Sequence, residues 1–225
     1  MSDPAYTPER RPLATREAAW SKRLAAWLAA RGVAPNAISV SSTVAGVAAG
    51  VAFALTARTD WWPRLFFLAA AACVQLRLLA NMLDGMVALQ TGKASPVGEL
   101  YNEVPDRVSD VAVFVGAGYA AGGLPELGYL AACVALFVAY VRAEGKVAGA
   151  RQEFCGPMAK PQRMFVLTVA ALYAGLAPAA WQPKLAVLPD RGVIALALLV
   201  VAAGGLLTAL RRLARVARAL RKDKP

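Results

Sequence analysis

Asn81 and Asp84 are three residues apart, Asn102 and Asp106 are four apart, and Glu103 follows Asn102, in a chain that is otherwise rich in Ala, Val and Leu. Residues at these spacings share one face of an α-helix, so each pair aims its oxygen atoms in one direction. Carboxylate and amide oxygens suit hard divalent ions such as Mg²⁺ or Mn²⁺. A metal-bound phosphate held this way is set up for phosphoryl transfer, which depends mainly on positioning and charge stabilisation. Asp84, Asp106, Asn81, Asn102 and Glu103 are therefore the candidate metal ligands. The competing role for the two amides is a hydrogen bond across a helix pair. Glu99, Glu103 and Asp110 have one too, as solvated charges or as ion-pair partners of Arg77 and Arg107.

Histidine is absent, which excludes His-based triads, His-ligated zinc and imidazole acid–base chemistry. Cys73, Cys133 and Cys155 have no metal or redox spacing, and two of them lie inside apolar runs as small buried thiols.

The elements that must position the oxygen pairs are membrane helices. Of 225 residues, 58% are hydrophobic and 17% charged, with a mean hydropathy of +0.48, the composition of an integral membrane protein. Six apolar stretches of spanning length run over about 36–57, 64–90, 98–121, 126–150, 160–181 and 191–210. The expected fold class is all-α: a polytopic membrane domain over 36–210, preceded by a cytoplasmic segment over 1–35 and followed by a basic cytoplasmic tail over 211–225. Within the first segment, residues 15–31 put Trp20, Leu24, Trp27 and Leu28 on one face, as in an amphipathic helix lying in the membrane interface, which Gly32 and Pro35 end.

The net charge of +11 is not a nucleic-acid signature, because the cations flank apolar spans and are not interleaved with exposed aromatics. Arg10, Arg11, Arg16, Lys22, Arg23 and Arg31 precede the first span, and the run LRRLARVARALRKDK follows the last. Positive residues mark the inner side, so both termini fall in the cytoplasm, the cation-free loop GGLP falls outside, and the loops with Arg58 and Arg64, and with Lys184 and Arg191, are external. The second span then runs inward, and the short connection QTGKASPVG makes the second and third spans antiparallel neighbours whose oxygen pairs meet at the cytoplasmic edge. Arg142, Lys146, Arg151, Lys160 and Arg163 gather at the same edge. They suit the phosphate of an acceptor or a lipid headgroup, or serve only to keep the loop inside. Gly85, Ala88 and Gly98 allow a flat or phosphorylated ligand near the backbone, or simply close helix packing.

With these residues in place, the segment resembles the CDP-alcohol phosphotransferases, whose pattern D-x2-D-G-x2-A-R-x8-G-x3-D-x3-D crosses two adjacent membrane helices. Here Asn81, Asp84, Gly85, Ala88, Leu89, Gly98, Asn102 and Asp106 keep every spacing, with Asn at the first and third acids and Leu89 at the arginine. APNAISV before the first span and YVRAEGKVAG at the end of the fourth are similar to two further family segments. The resemblance implies one or two divalent ions held by the acid positions against the diphosphate of a CDP-linked donor, with Asn81, Asp84, Gly85, Ala88 and Gly98 at the nucleotide. It implies Asp106 as the general base that deprotonates the acceptor hydroxyl, CMP as the leaving group, Arg142 near a phosphorylated acceptor, and a homodimer. Lys93 is the candidate replacement for the missing arginine, and Lys146, Lys160 and Arg163 join Arg142 as acceptor phosphate ligands. The expected reaction takes a phosphatidyl group from CDP-diacylglycerol to a small alcohol, within the lipids of a bacterial inner membrane; the Ala-rich composition matches a GC-rich bacterial genome. The alternatives are a non-catalytic relative that binds nucleotide or lipid, and a small transporter.

Overall fold

The structure, a computed structural model, describes residues 14–60, 62–93, 95–183 and 192–222. Arg10 and Arg11, Lys184 and Arg191, and Lys224, counted above among the topology-setting cations, lie outside the described residues. The regular elements are all helical: α1 Ala14–Glu17, α2 Ala19–Ala30, α3 Pro35–Leu55, α4 Pro63–Gln90, α5 Pro96–Gly118, α6 Pro125–Val147, α7 Lys160–Leu176 and α8 Val193–Lys222, with a 3₁₀ turn at Ala179–Trp181. Proline occupies the first turn of α3 to α7, where its fixed φ suits the helix and its missing N–H would have had no partner.

The chain is a polytopic membrane protein: α3, α4, α6 and α8 are long and apolar enough to cross a bilayer. By those criteria α5 and α7 fall short, for separate reasons. α5 carries Glu103, Asp106, Arg107 and Asp110, and α7 has 17 residues and begins with Lys160 and Arg163. Asp106, Asp110, Lys160 and Arg163 among these face the interior, whereas Glu103 is half exposed.

α3 and α5 approach until their backbones touch. A Cβ on Gly50 would lie 2.2 Å from the Ala112 carbonyl oxygen, and one on Gly116 would lie 2.1 Å from the Gly50 carbonyl oxygen. Gly46, one turn earlier on α3, has Ser109 of α5 in the same relation, 2.6 Å from an added Cβ. Small residues four apart are the usual device for close crossings in lipid, where helices gain from packing and not from escape from water. Across this crossing Asp106 and Asp110 of α5 reach the Arg77 side chain of α4. Pro105 breaks the α5 ladder just before Asp106, since it has no N–H to donate to the preceding turn. Around this crossing the core is built from Phe53, Phe67, Val74, Phe114, Met164, Leu167 and Leu198.

Two expectations change. The N-terminal helix breaks at Ala18, and its apolar face is divided. Ala25, Leu24 and Leu28 dock on Ile38, Met82 and Met86, whereas Trp20 and Trp27 are exposed. At about 100° per residue the leucines and Ala25 occupy one sector and the tryptophans the adjoining one, so docking by the first leaves the second uncovered. The basic tail does not start a new element at 211: α8 continues to Lys222, and Arg212 is buried, donating to the carbonyls of Cys155 (3.0 Å) and Val138 (3.3 Å).

Between α6 and α7, Gly156 adopts φ +113, and a Cβ there would meet Thr208 Cγ2 at 2.4 Å. The Met158 N–H donates to Thr208 Oγ1 at 2.9 Å. α8 thereby fixes the backbone two residues before Lys160.

Candidate functional site

Asp84 on α4 is almost fully buried and accepts from Ser39 Oγ of α3 at 2.8 Å. Its other oxygen accepts from the Asn102 side-chain amide of α5 at 3.4 Å. Asn81 donates to Asn102 Oδ1 at 2.8 Å, which ties α4 to α5 one turn above Asp84. The four residues expected to converge from their spacing do converge. The amides also make the cross-helix hydrogen bond that competed with metal ligation.

Lys160, at the start of α7, completes the group. Its ammonium donates to Asn81 Oδ1 and to Asp106 Oδ2. The other Asp106 oxygen accepts from Arg77 Nη2 at 3.0 Å, and the same nitrogen donates to Asp110 Oδ1 at 2.7 Å. Arg163 Nη2 donates to Asp110 Oδ2 at 3.1 Å. Arg77 is wholly buried and Arg163 nearly so. Three buried carboxylates (Asp84, Asp106, Asp110) and three cations (Arg77, Lys160, Arg163) share this group. Arg107, bound to Glu103, also comes within 3.9 Å of Asp106 and 3.8 Å of Asp110, so the set carries no net negative charge. Such balance is what a low-dielectric interior demands, because an unpaired charge there costs several kcal/mol. Nε and Nη1 of both arginines have no hydrogen-bond partner among the described residues.

Above this floor lies a cavity of about 410 Å³, lined by Asn81, Asp84, Gly85, Asn102, Asp106, Lys160 and Arg163 together with Arg142 and Lys146 of α6. Its size falls within the range of small-molecule sites. Glu103, expected among the metal ligands, lines the cavity but turns from the oxygen cluster to Arg142 (2.6 Å) and Arg107 (2.5 Å). Two guanidiniums within reach of a half-exposed carboxylate outcompete a site that already holds Lys160. Ala88, Gly98 and Lys93 do not line the cavity. Gly98 instead gives its N–H to Ser95 Oγ at 3.0 Å as part of the α5 N-cap, and Lys93 is exposed after α4. Leu89, in the arginine position of the motif, is half exposed.

Ser39 and Arg77 are site residues that the spacing argument did not select. Ser39 is the last residue of the PNAIS segment before the first span, and Arg77 lies one turn before Asn81, so both left a trace in the sequence.

The donor set bears directly on an implied metal. Among the described residues no group of three or more His, Cys, Asp or Glu is placed to hold an ion. Two carboxylates and two neutral amides face inward, and a lysine ammonium already occupies the oxygens of Asn81 and Asp106. These residues do not fit a pair of divalent ions.

No family model matches the chain. A phosphatidylinositol phosphate synthase of Streptomyces avermitilis is 29% identical over 200 residues, covering 86% of this chain and 76% of that protein. Among solved structures, the phosphatidylinositol phosphate synthase of Mycobacterium tuberculosis with CDP-DAG bound superposes with a TM-score of 0.71 at 20% identity, covering 92% of this chain and 98% of that one. The same enzyme in complex with manganese and citrate gives a TM-score of 0.71 at 19% identity, covering 91% and 92%.

Proposed function

We propose that this chain, which belongs to the CDP-alcohol phosphotransferase family of membrane enzymes, moves a phosphatidyl group from CDP-diacylglycerol to an inositol phosphate, releasing CMP. The observation that carries the reading is the convergence of Asp84, Asn81, Asn102 and Asp106 with a row of cations on one cavity. The relatives' names supply the phosphorylated acceptor, and the cations of this chain suit it: Lys146 and Arg142, the latter paired with Glu103, line the cavity wall.

In this reading six helices, α3 to α8, span a bacterial inner membrane with both termini in the cytoplasm. The cavity opens at the cytoplasmic edge, Trp20 and Trp27 lie in the interface, and the chain pairs as a homodimer. The acceptor hydroxyl oxygen attacks the phosphorus next to the diacylglycerol. The bond from that phosphorus to the CMP oxygen breaks, and CMP leaves with the bonding electrons. The hydroxyl proton passes to Oδ2 of Asp106, the oxygen facing the cavity side, while Arg77 keeps Oδ1 fixed. Ser39 holds Asp84 against α3 so that its carboxylate keeps its direction. Mg²⁺ or Mn²⁺, the cofactor expected from the motif, does not suit this donor set, in which Asn81 and Asn102 stand at two of the four acid positions and Lys160 holds an oxygen each of Asn81 and Asp106.

The test uses purified protein in lipid nanodiscs with CDP-diacylglycerol and, in separate reactions, inositol phosphate, glycerol phosphate and serine. CMP should appear with inositol phosphate, together with a lipid product whose mass is that of a phosphatidylinositol phosphate. CMP formed only with another alcohol would replace the acceptor, and none with any alcohol would remove the transferase reading.

A further inference from the structure

The oxygen cluster lacks two negative charges that the motif's spacing leads one to expect, and a cation of the chain's own stands among the oxygens that remain. We propose that the Lys160 ammonium is the resident cation of this site, so that as built the cluster holds no divalent ion tightly and a phosphate bound there is neutralised by Lys160. The inference deepens the reading above and rests on the same cavity.

The charge count is the first support. With Asn81 and Asn102, the three buried carboxylates, Asp84, Asp106 and Asp110, are equalled in number by Arg77, Arg163 and Lys160, and the Glu103–Arg107 pair beside them adds no net charge. A divalent ion added to this neutral group would leave two positive charges uncompensated in a low-dielectric setting, where bringing ions out of water costs several kcal/mol each. Aspartates at both amide positions would instead leave the cluster two charges negative, the amount one divalent ion cancels. The amides and the lysine therefore belong together: oxygens without the two extra charges suit a single cation of the chain's own.

Geometry is the second support. Lys160 Nζ bridges Asn81 Oδ1 of α4 and Asp106 Oδ2 of α5, the two helices that carry the oxygen pairs. It arrives there because the backbone before it is fixed: Met158 N–H is held by Thr208, and Gly156 packs against the same threonine. A lysine is a compact point charge on a flexible stem. It can pass from Asp106 to a phosphate oxygen, and in doing so it frees Oδ2 of Asp106 to take a proton. Arg163 lies beneath on the same helix, already engaged with Asp110, and keeps that second carboxylate from drawing Lys160 away.

The test counts bound Mn²⁺ by electron paramagnetic resonance in nanodiscs, with the metal alone as probe and no nucleotide or turnover needed. The native chain should bind Mn²⁺ at least tenfold more weakly than Lys160→Met and than the double variant Asn81→Asp with Asn102→Asp. Tight Mn²⁺ binding by the native chain would overturn the proposal, and so would weak binding by the native chain with no gain in either variant. If Lys160→Met does not fold, the paired aspartate variant decides. In a second arm, CDP binding is followed by calorimetry in the presence of a chelator. The native chain and Lys160→Arg should retain it, and Lys160→Met should lose at least tenfold in affinity. Absence of CMP release in the transferase assay would count against the proposed reaction and leave the ion count standing.

Discussion

Asp106 and Asp110 lie one turn apart on α5 and both reach Arg77, yet they are placed for opposite tasks. Asp110 is wholly buried, with both oxygens on arginines, Arg77 at 2.7 Å and Arg163 at 3.1 Å. Asp106 keeps one oxygen on Arg77 and turns the other to the cavity, where Lys160 binds it and Arg107 stands 3.9 Å away. A carboxylate saturated by two fixed guanidiniums ties α4, α5 and α7 together. One held on a single side, with a movable cation on the other, can exchange partners. The same residue type thus divides into scaffold and working group within a few ångströms, according to how many of its lone pairs are spent.

Four substitutions probe that division, beginning with the largest effect. Asp106→Asn should slow CMP release about 10²–10⁴-fold, the usual weight of a proton-transfer group, while shifting the thermal unfolding midpoint less than any change at Asp110. Equal damage to both readouts would mean that the two aspartates are not distinct. Asp110→Asn leaves two buried arginines short of a countercharge and should cost about 3–5 kcal/mol of stability, read as a lower unfolding midpoint in nanodiscs. An unchanged midpoint there would remove Asp110 from the scaffold. Gly50→Ala should cost about 1–3 kcal/mol, because the new methyl meets the Ala112 carbonyl and α5 must shift. If that variant lowers the rate through its distance from Asp106, the crossing positions the site as well as supporting it. Glu103→Gln removes the half-exposed charge that Arg107 and Arg142 share and should change stability by less than about 1 kcal/mol, with Mn²⁺ binding unaltered. A drop in ion binding would return Glu103 to the oxygen cluster.

Much of this was legible in the chain. The apolar runs gave α3 to α6 within a few residues of their ends, because Pro at each first turn and a polar break between runs mark the boundaries. The three- and four-residue spacings put Asn81 with Asp84 and Asn102 with Asp106 on single faces, but the expected direct packing of the second and third spans is not observed: α3 packs against both α4 and α5, and the two faces meet only through side chains. The pairing of Arg77 with Asp110 and of Arg107 with Glu103 was open as one of two roles, and the structure takes it. Lys160 was read as a phosphate ligand of the loop side; its bond to Asn81 joins residues 79 apart in sequence, and no periodicity carries that information. The split face of α2 and the inward turn of Arg212 escaped for the same reason: each depends on which neighbour arrives, not on the pattern of its own helix.

The shared arginine bridge has a consequence for how the protein is made. In the proposed six-span arrangement, Arg77 is synthesised before α5, whereas Arg163 follows it by some fifty residues, so a newly inserted α5 meets Arg77, with Arg107 of its own helix 3.8 Å from Asp110, before Arg163 arrives. An aspartate at the middle of an inserting helix costs about 2.5–3.5 kcal/mol, and part of its compensation arrives late. Chains truncated ahead of α7 should therefore hold α5 less firmly in the bilayer than full-length chains, a difference that glycosylation mapping of the α5–α6 loop can measure. Equal retention would show that Arg77 and Arg107 suffice to seat α5 during translation.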